Sequence, residues 1–400
     1  MLSRRDILRA AGIGTIATSL PGWALAKPDS DARFVLIILR GAADGLAIAA
    51  PYGDVNYRKI RGELSMSAPG EDDGLLRLDN TFGLHPSLPG VYAQYEKSQA
   101  IVVHALASPY RSRSHFDGQD ILENGAAGAA SLRDGWLNRA LAPLGGSLGN
   151  EVAIAMAQNT PLVLRGNNSV TSWAPSQLPD ADASTLRRLQ DMYADDEFFA
   201  TRLVQALKSQ EIADSESSMG EMKLRNRNAQ QQRLMMEAAG RFLTADNGPR
   251  IAVLESGGWD THANQGTTSG ALTNKLAGLD DGLTALQDQL GKMWSKTVVA
   301  VVTEFGRTAA VNGTRGTDHG TASAAILLGG AVKGGRVIAD WPGLGKADLF
   351  ENRDLMPTSD MRSMFKGIMS DHLSVPDSLL DNVVFPDSVA ARPMQDLIRS

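Results

Sequence analysis

The chain has 400 residues, 43% of them hydrophobic and 21% charged, with Gly 40 and Pro 17. This composition excludes collagen-like and low-complexity classes and allows a large buried core. A formal net charge of -6 argues against a dedicated nucleic-acid binder, and Cys 0 removes disulfides, thiolate metal sites and cysteine nucleophiles. Any metal must be held by carboxylates, histidines and other oxygen ligands.

Ser3-Arg4-Arg5-Asp6-Ile7-Leu8 resembles the twin-arginine export motif. An apolar run from Ala10 to Leu20 follows, and Ala24-Leu25-Ala26 reads as a small-x-small cleavage site. Residues 1–26 are therefore expected to be a removable signal peptide. A membrane anchor is the alternative, but the run is short of the about 20 apolar residues that a spanning helix needs. The expected location is periplasmic or secreted, reached through the twin-arginine machinery, with no stable membrane span. That pathway carries folded proteins, which allows a metal loaded before export. Arg4, Arg5, Arg9 and Asp6 leave with the peptide, so residues 27–400 stand at a net charge of -8.

Phe34 to Leu39 is a continuous apolar run, the pattern of a strand buried on both faces. Ala100 to Leu106 is a second. Glu151–Met156 and Pro161–Leu164 read as a hairpin or paired strands. From about 183 to 244 the chain turns rich in Gln, Met, Arg and Glu with helical periodicity. This segment reads either as a helical insertion or as ordinary outer helices. Arg250–Glu255 reads as another strand, followed by a helix over about 270–294. There Leu272, Leu276, Leu279, Leu283, Leu286 and Leu290 form one apolar stripe. Thr297–Val302 comes next, so strand, helix and strand make a βαβ unit. Ala324–Leu328 and Arg336–Ala339 supply further strands. The expected fold is α/β, a mostly parallel central sheet with helices on both faces.

In open α/β sheets, ligands sit beyond the carboxyl ends of the strands. Asp44, then Asp260 with His262, then Glu304, then Asp318 with His319, all follow buried strands. Such acids gathered at one edge call for a neutralising cation. Carboxylates with two histidines suit one or two divalent ions, Zn or Mn before Mg or Ca. Two ions would clamp the attacking and leaving oxygens of a displacement.

Ser114 stands at the start of a helix through Leu122, as an N-cap with Asp117 completing a loose capping box. The same position favours anions, so Ser114 is also a candidate nucleophile, with Ser112 behind it. Arg111, Arg113 or Arg307 would hold a phosphate or sulfate ester, unless Arg307 merely pairs with Glu304. His115 reads as a ligand or as a residue that supports one. His85, His104 and His372 read as residues away from the chemistry.

Leu-Arg-Gly-Ala-Ala-Asp-Gly (39–45), Ser-His-Phe-Asp (114–117), Gly-Trp-Asp-Thr-His (258–262), Thr-Glu-Phe-Gly-Arg (303–307) and Gly-Thr-Asp-His-Gly (316–320) resemble an exported bacterial family. It is known as domain of unknown function 1501, and is similar in turn to the alkaline phosphatase and sulfatase superfamily. The resemblance implies an alkaline-phosphatase-like fold and metal-dependent hydrolysis of a small anionic phosphate or sulfate ester. It implies a first-strand metal aspartate at Asp44 and an aspartate-histidine pair at Asp260 and His262. Either Asp318-His319 forms the next pair, or Glu304 with Phe305 takes that position and His319 is the later lone histidine. Ala107 stands where a sulfatase carries its modified residue, which removes formylglycine chemistry. A non-catalytic metal-binding or assembly protein is the alternative, and metal-free carbohydrate processing by paired carboxylates a third reading.

Overall fold

Six buried residues in a row, Phe34 to Leu39, with no room for water on either side make Arg33–Arg40 the central strand, β1. The computed structural model describes residues 31–129, 131–145, 151–175, 183–214 and 227–399. The expected signal peptide lies outside them. The sheet continues with β2 (Ala100–Ala107), β3 (Ala153–Ala155), β4 (Thr171–Ser172), β5 (Ile251–Gly257), β6 (Thr297–Thr303), β7 (Ser323–Leu328), β8 (Arg336–Ile338) and β9 (Ser359–Asp360). In space the order is β8-β2-β7-β6-β1-β5-β3-β4, with β9 beside β2. Only β7 runs antiparallel to its neighbours in this sheet.

Alternation along β1 builds the two layers. Val35, Ile37 and Leu39 face one core, and Phe34, Leu36 and Ile38 face the other. The helices introduced here are α1 (Gly45–Ile48), α2 (Tyr57–Arg61), α3 (Pro89–Glu96), α4 (His115–Asn124) and α5 (Trp136–Leu141). Then come α6 (Ala183–Tyr193), α7 (Glu197–Asp214), α8 (Arg227–Thr244), α9 (Ala271–Leu290) and α10 (Met361–Leu373). All six leucines of the α9 stripe are buried in the Val35 layer. Truncating any one to Ala removes about 2–5 kcal/mol by the cavity it leaves. The β5-α9-β6 crossover steps over β1, which lies between its two strands and pairs in register with both.

The 183–244 segment is not uniform. Helix α8 buries Met236, Ala238, Ala239, Phe242 and Leu243 in the same layer as α9. Helices α6 and α7 leave Met192, Phe198, Phe199 and Val204 exposed. The expected pairing of Pro161–Leu164 is corrected: Leu162–Leu164 is a 3-10 turn, and β3 pairs in parallel with Thr171–Ser172 instead. Pro161 has no N–H to give a ladder. Among the described residues no helix is long and apolar enough to cross a membrane.

Strand β2 carries a bulge opposite β7, where the register shifts and Ala105 takes a positive φ of 53°. His104 sits in the bulge, fully buried. Its Nε2–H donates to the Ala49 carbonyl at 3.0 Å, and its Nδ1 accepts the Ala105 N–H at 2.8 Å. A neutral ring satisfies both bonds, and burial pushes the imidazole down to about 4 from 6.5. A depressed pKa contributes stability above the unfolded value that is lost as pH falls through the folded one. Between pH 6.5 and about 4 this group should remove on the order of 3 kcal/mol. His104→Gln cannot be charged, so its unfolding free energy should fall less steeply over that window. Parallel slopes for the two proteins would contradict this.

Candidate metal centre

The carboxyl ends of β1, β2, β5 and β6 and the amino end of β7 meet at one edge. Beyond β1, Gly41 has φ 118°, and a Cβ there would lie 2.7 Å from the Asp260 nitrogen. Only glycine brings these two strand ends so close. The Gly41 N–H then donates to Glu304 Oε1 at 2.8 Å. Glu304 is fully buried just after β6 and also accepts from the Thr303 hydroxyl at 2.9 Å. Helix α4 presents His115 and, one turn on, Gln119 to the same Oε1, at 2.8 and 3.3 Å. Phe305 forms the floor, stacked on His115 with ring centroids 5.0 Å apart. A Cβ at Gly118 would meet that ring at 2.8 Å.

Three imidazoles share one arrangement. His115 Nδ1 faces Glu304 Oε1, His262 Nδ1 faces Asp318 Oδ1 at 3.2 Å, and His319 Nδ1 faces the Arg113 carbonyl at 2.9 Å. Each partner is an acceptor, so in each neutral ring the proton sits on Nδ1 and Nε2 carries a lone pair. All three Nε2 atoms converge on Asp260. His262 and His319 lie 3.1 and 3.3 Å from its Oδ1, and His115 lies 3.5 Å from its Oδ2. The His262 and His319 Nε2 atoms are 3.0 Å apart, and His115 Nε2 is buried with no hydrogen-bond partner. Lone pairs facing one another and a carboxylate repel unless a cation stands among them. Ligands about 2.0–2.1 Å from a tetrahedral ion are themselves roughly 3.4 Å apart, close to the spacings among His262 Nε2, His319 Nε2 and Asp260 Oδ1. One atom each from His115, Asp260 and His319 lies within 4.8 Å of the others, a group that could hold a metal ion. Oxygen acceptors behind each histidine are the usual support for imidazole ligands.

The electrostatics follow the partners. The Glu304 hydrogen bond raises His115 against the opposing effect of burial. Burial lowers His319, which has only a carbonyl behind it. Burial works against ionisation of Asp260 and Glu304, but Arg307 beside the first and His115 beside the second leave both below the ordinary carboxylate range. Asn312, donating at 3.0 Å, does the same for Asp318.

The structure does not bring every expected residue to the cluster. Asp44 is buried as the N-cap of α1, where Arg61 of α2 pairs with it and Gln265 donates at 2.7 Å. A guanidinium thus neutralises Asp44, which was expected among the ligands of one or two ions. Arg307 is fully buried and pairs with Asp260, not Glu304, while its Nε donates to Thr317 at 3.1 Å. Arg113 is held by Asp354 and Glu351, so its charge is already spent. Ser114 is the N-cap of α4 by position, but its side chain makes no cap bond and the expected capping box does not form. Asp117 instead accepts from Tyr110, whose hydroxyl receives the Ser114 N–H at 2.9 Å.

His85, His104 and His372 lie outside the cluster, and each places Nε2 against a backbone carbonyl. Arg61, Gln119, Gln265 and Asn312 were not expected at the edge. Arg61 follows Arg58 and Lys59 and reads as part of a solvated basic run, and the others have no spacing that marks them.

The sequence description "Protein of unknown function (DUF1501)" matches residues 31–384. The chain belongs to this family. No curated protein matches it in sequence. Among solved structures, this family member is similar to the phosphonate monoester hydrolase of Agrobacterium radiobacter at 11% identity and TM-score 0.36, over 86% of this chain and 74% of that one. It is similar to the zinc complex of the C-terminal periplasmic domain of EcEptC from Escherichia coli at 9% identity and TM-score 0.38, over 76% and 74% of the two chains. Similarity to the alkaline phosphatase of the Antarctic bacterium TAB5 covers 76% of this chain and 94% of that one, at 12% identity and TM-score 0.35.

The tautomer assignment is testable without metal. In nitrogen NMR spectra of histidine-labelled, metal-free protein at alkaline pH, His115, His262 and His319 should carry the proton on Nδ1, and His85, His104 and His372 on Nε2. Six Nε2–H rings would contradict the arrangement. Glu304→Gln should weaken divalent-metal affinity roughly 10–100-fold, since it removes the charge behind His115. Unchanged affinity would remove Glu304 from that role.

Proposed function

We propose that the chain is an exported metal-dependent hydrolase of phosphate or related sulfate-type esters. The observation that carries the reading is the convergence of three Nε2 lone pairs on Asp260. His115, His262, His319 and Asp260 would hold the ion, with Glu304 and Asp318 orienting two of the rings. Three nitrogens and one carboxylate favour Zn or Mn over Mg or Ca. A bound divalent ion supplies a Lewis acid that polarises the ester and stabilises the departing oxygen. Asp44, neutralised by Arg61, supports a stoichiometry of one.

Ser114 is the residue assigned to attack, because its hydroxyl is free of a cap bond and it adjoins His115 at the helix N-terminus. Side chains of His262 and Asp260 are 45% and 39% exposed, so a small ester can approach from solvent. Helices α6 and α7 are assigned to an insertion on the α/β domain of residues 27–400, and residues 1–26 to a twin-arginine signal.

One observation favours the non-catalytic alternative. Arg113 and Arg307 are both tied to carboxylates, which leaves neither free to bind an anion in this arrangement. A panel of phosphate mono- and diesters, phosphonate and sulfate esters decides between the readings. The metal-loaded protein should hydrolyse at least one of them, and Asp260→Ala and His319→Ala should each lower that rate by about 100-fold or more. Ser114→Ala should lower it comparably if Ser114 attacks. No turnover of any ester by protein that retains its metal would favour the binding protein, and unchanged turnover in Asp260→Ala would refute the hydrolase.

A further inference from the structure

Two short segments carry three of the four residues assigned to the ion: Asp260-Thr261-His262 and Thr317-Asp318-His319. Each holds one buried threonine, Thr261 between two ligands and Thr317 directly before Asp318. Both hydroxyls donate to a single atom, Oε1 of Gln265, at 2.8 Å each. Gln265 is fully buried, and its Nε2 donates to the buried Asp44 carboxylate at 2.7 Å.

This order fixes each donor. The Asp44 carboxylate, paired with Arg61, only accepts, so it turns the amide nitrogen toward itself and leaves Oε1 to receive both threonines. The Thr317 hydroxyl commits its proton to Gln265 and keeps a lone pair for Arg307 Nε at 3.1 Å. Arg307 in turn pairs with Asp260. The main chain adds a Thr317 N–H bond to the Thr261 carbonyl at 3.2 Å. The imidazoles on the two segments so joined, His262 and His319, bring their Nε2 atoms to 3.0 Å. The Gln265 side chain bonds none of the assigned ligands itself and reaches them only through the two threonines.

We propose that Gln265 is the positioning residue of the metal centre. Its amide oxygen sets the spacing between the His262 and His319 segments, and the Asp44–Arg61 pair orients that amide. The inference rests on the metal reading above, but not on hydrolysis. Segments held together beforehand spare an ion the ordering that binding would otherwise require. Loss of the clamp should therefore show as weaker zinc binding and altered ligand geometry, beyond any loss of stability.

Zinc affinity of the full chain, measured by competition with a chelator, tests it. Gln265→Leu should weaken zinc roughly 10–100-fold and lower the visible bands of the cobalt-loaded protein, which report four-coordinate geometry. That change also strands Asp44 and both threonines, so single-arm variants guard against a failure to fold. Thr261→Val and Thr317→Val should each weaken zinc about fivefold, and Thr261→Ser and Thr317→Ser, which keep the hydroxyl, should bind as the unaltered chain does. Leu286→Ala destabilises the fold from the other end of α9 and should leave zinc affinity unchanged. Unchanged affinity in both valine variants, or an equal loss in Leu286→Ala, would overturn the proposal while leaving the metal centre in place. An unaltered chain that takes up no zinc would overturn the metal centre and this inference with it.

Discussion

An imidazole has two nitrogens, and what holds one decides what the other can do. At the carboxyl edge of this sheet, three rings are each held at Nδ1 by an oxygen: a buried carboxylate, an exposed carboxylate and a main-chain carbonyl. The remaining nitrogens have nowhere to point except toward Asp260 and, for His262 and His319, toward each other. Most of the local architecture serves this arrangement. Glu304 must be buried to reach His115, so Gly41, Thr303 and Gln119 supply the hydrogen bonds that a buried carboxylate needs. His319 must sit under Arg113, so Arg113 takes a positive φ of 62° and is pinned by Asp354 and Glu351. Gly316 has its would-be Cβ 2.4 Å from the His262 carbonyl, which lets the Asn312–Asp318 loop pack on the Asp260–His262 turn.

The acids of the edge divide by how they are neutralised. Asp44 has a buried guanidinium, Glu304 has His115 and backbone N–H groups, and Asp318 has Asn312 and His262. Asp260 also has a guanidinium, yet it alone is faced by unprotonated nitrogens as well. A buried ion pair such as Asp44–Arg61 holds its place because removing either partner strands a charge. Of the four acids at this edge, Asp260 is the one in a group that could hold a metal ion. Counting carboxylates along the sequence does not show how each is neutralised, because the arginines that pair with Asp44 and Asp260 come from elsewhere in the chain.

Long-range pairing of that kind explains what the sequence revealed and what it concealed. Runs such as Phe34–Leu39 and Thr297–Val302 are legible because burial on both faces makes nearly every residue apolar. The leucine stripe of α9 is legible because one helix face meets one core. Asp260, His262, Glu304 and His319 are legible because strand ends gather at one edge whatever the side chains. Arg61 was invisible, since a basic residue among basic neighbours reads as surface, whereas this one is fully buried. Ser114 misled in the opposite way: the N-cap residue type is right, but Tyr110 takes the partners that a capping box would use. Two-residue β4 carries no periodicity at all, so the strand beside β3 was misplaced by several residues.

A single stoichiometry tests the central claim most directly. Elemental mass spectrometry of the purified, zinc-loaded chain should find about one ion per molecule, and none retained by the His262→Ala/His319→Ala double variant that keeps its fold by circular dichroism. No bound ion in the unaltered chain, or full retention in the folded double variant, would contradict the account.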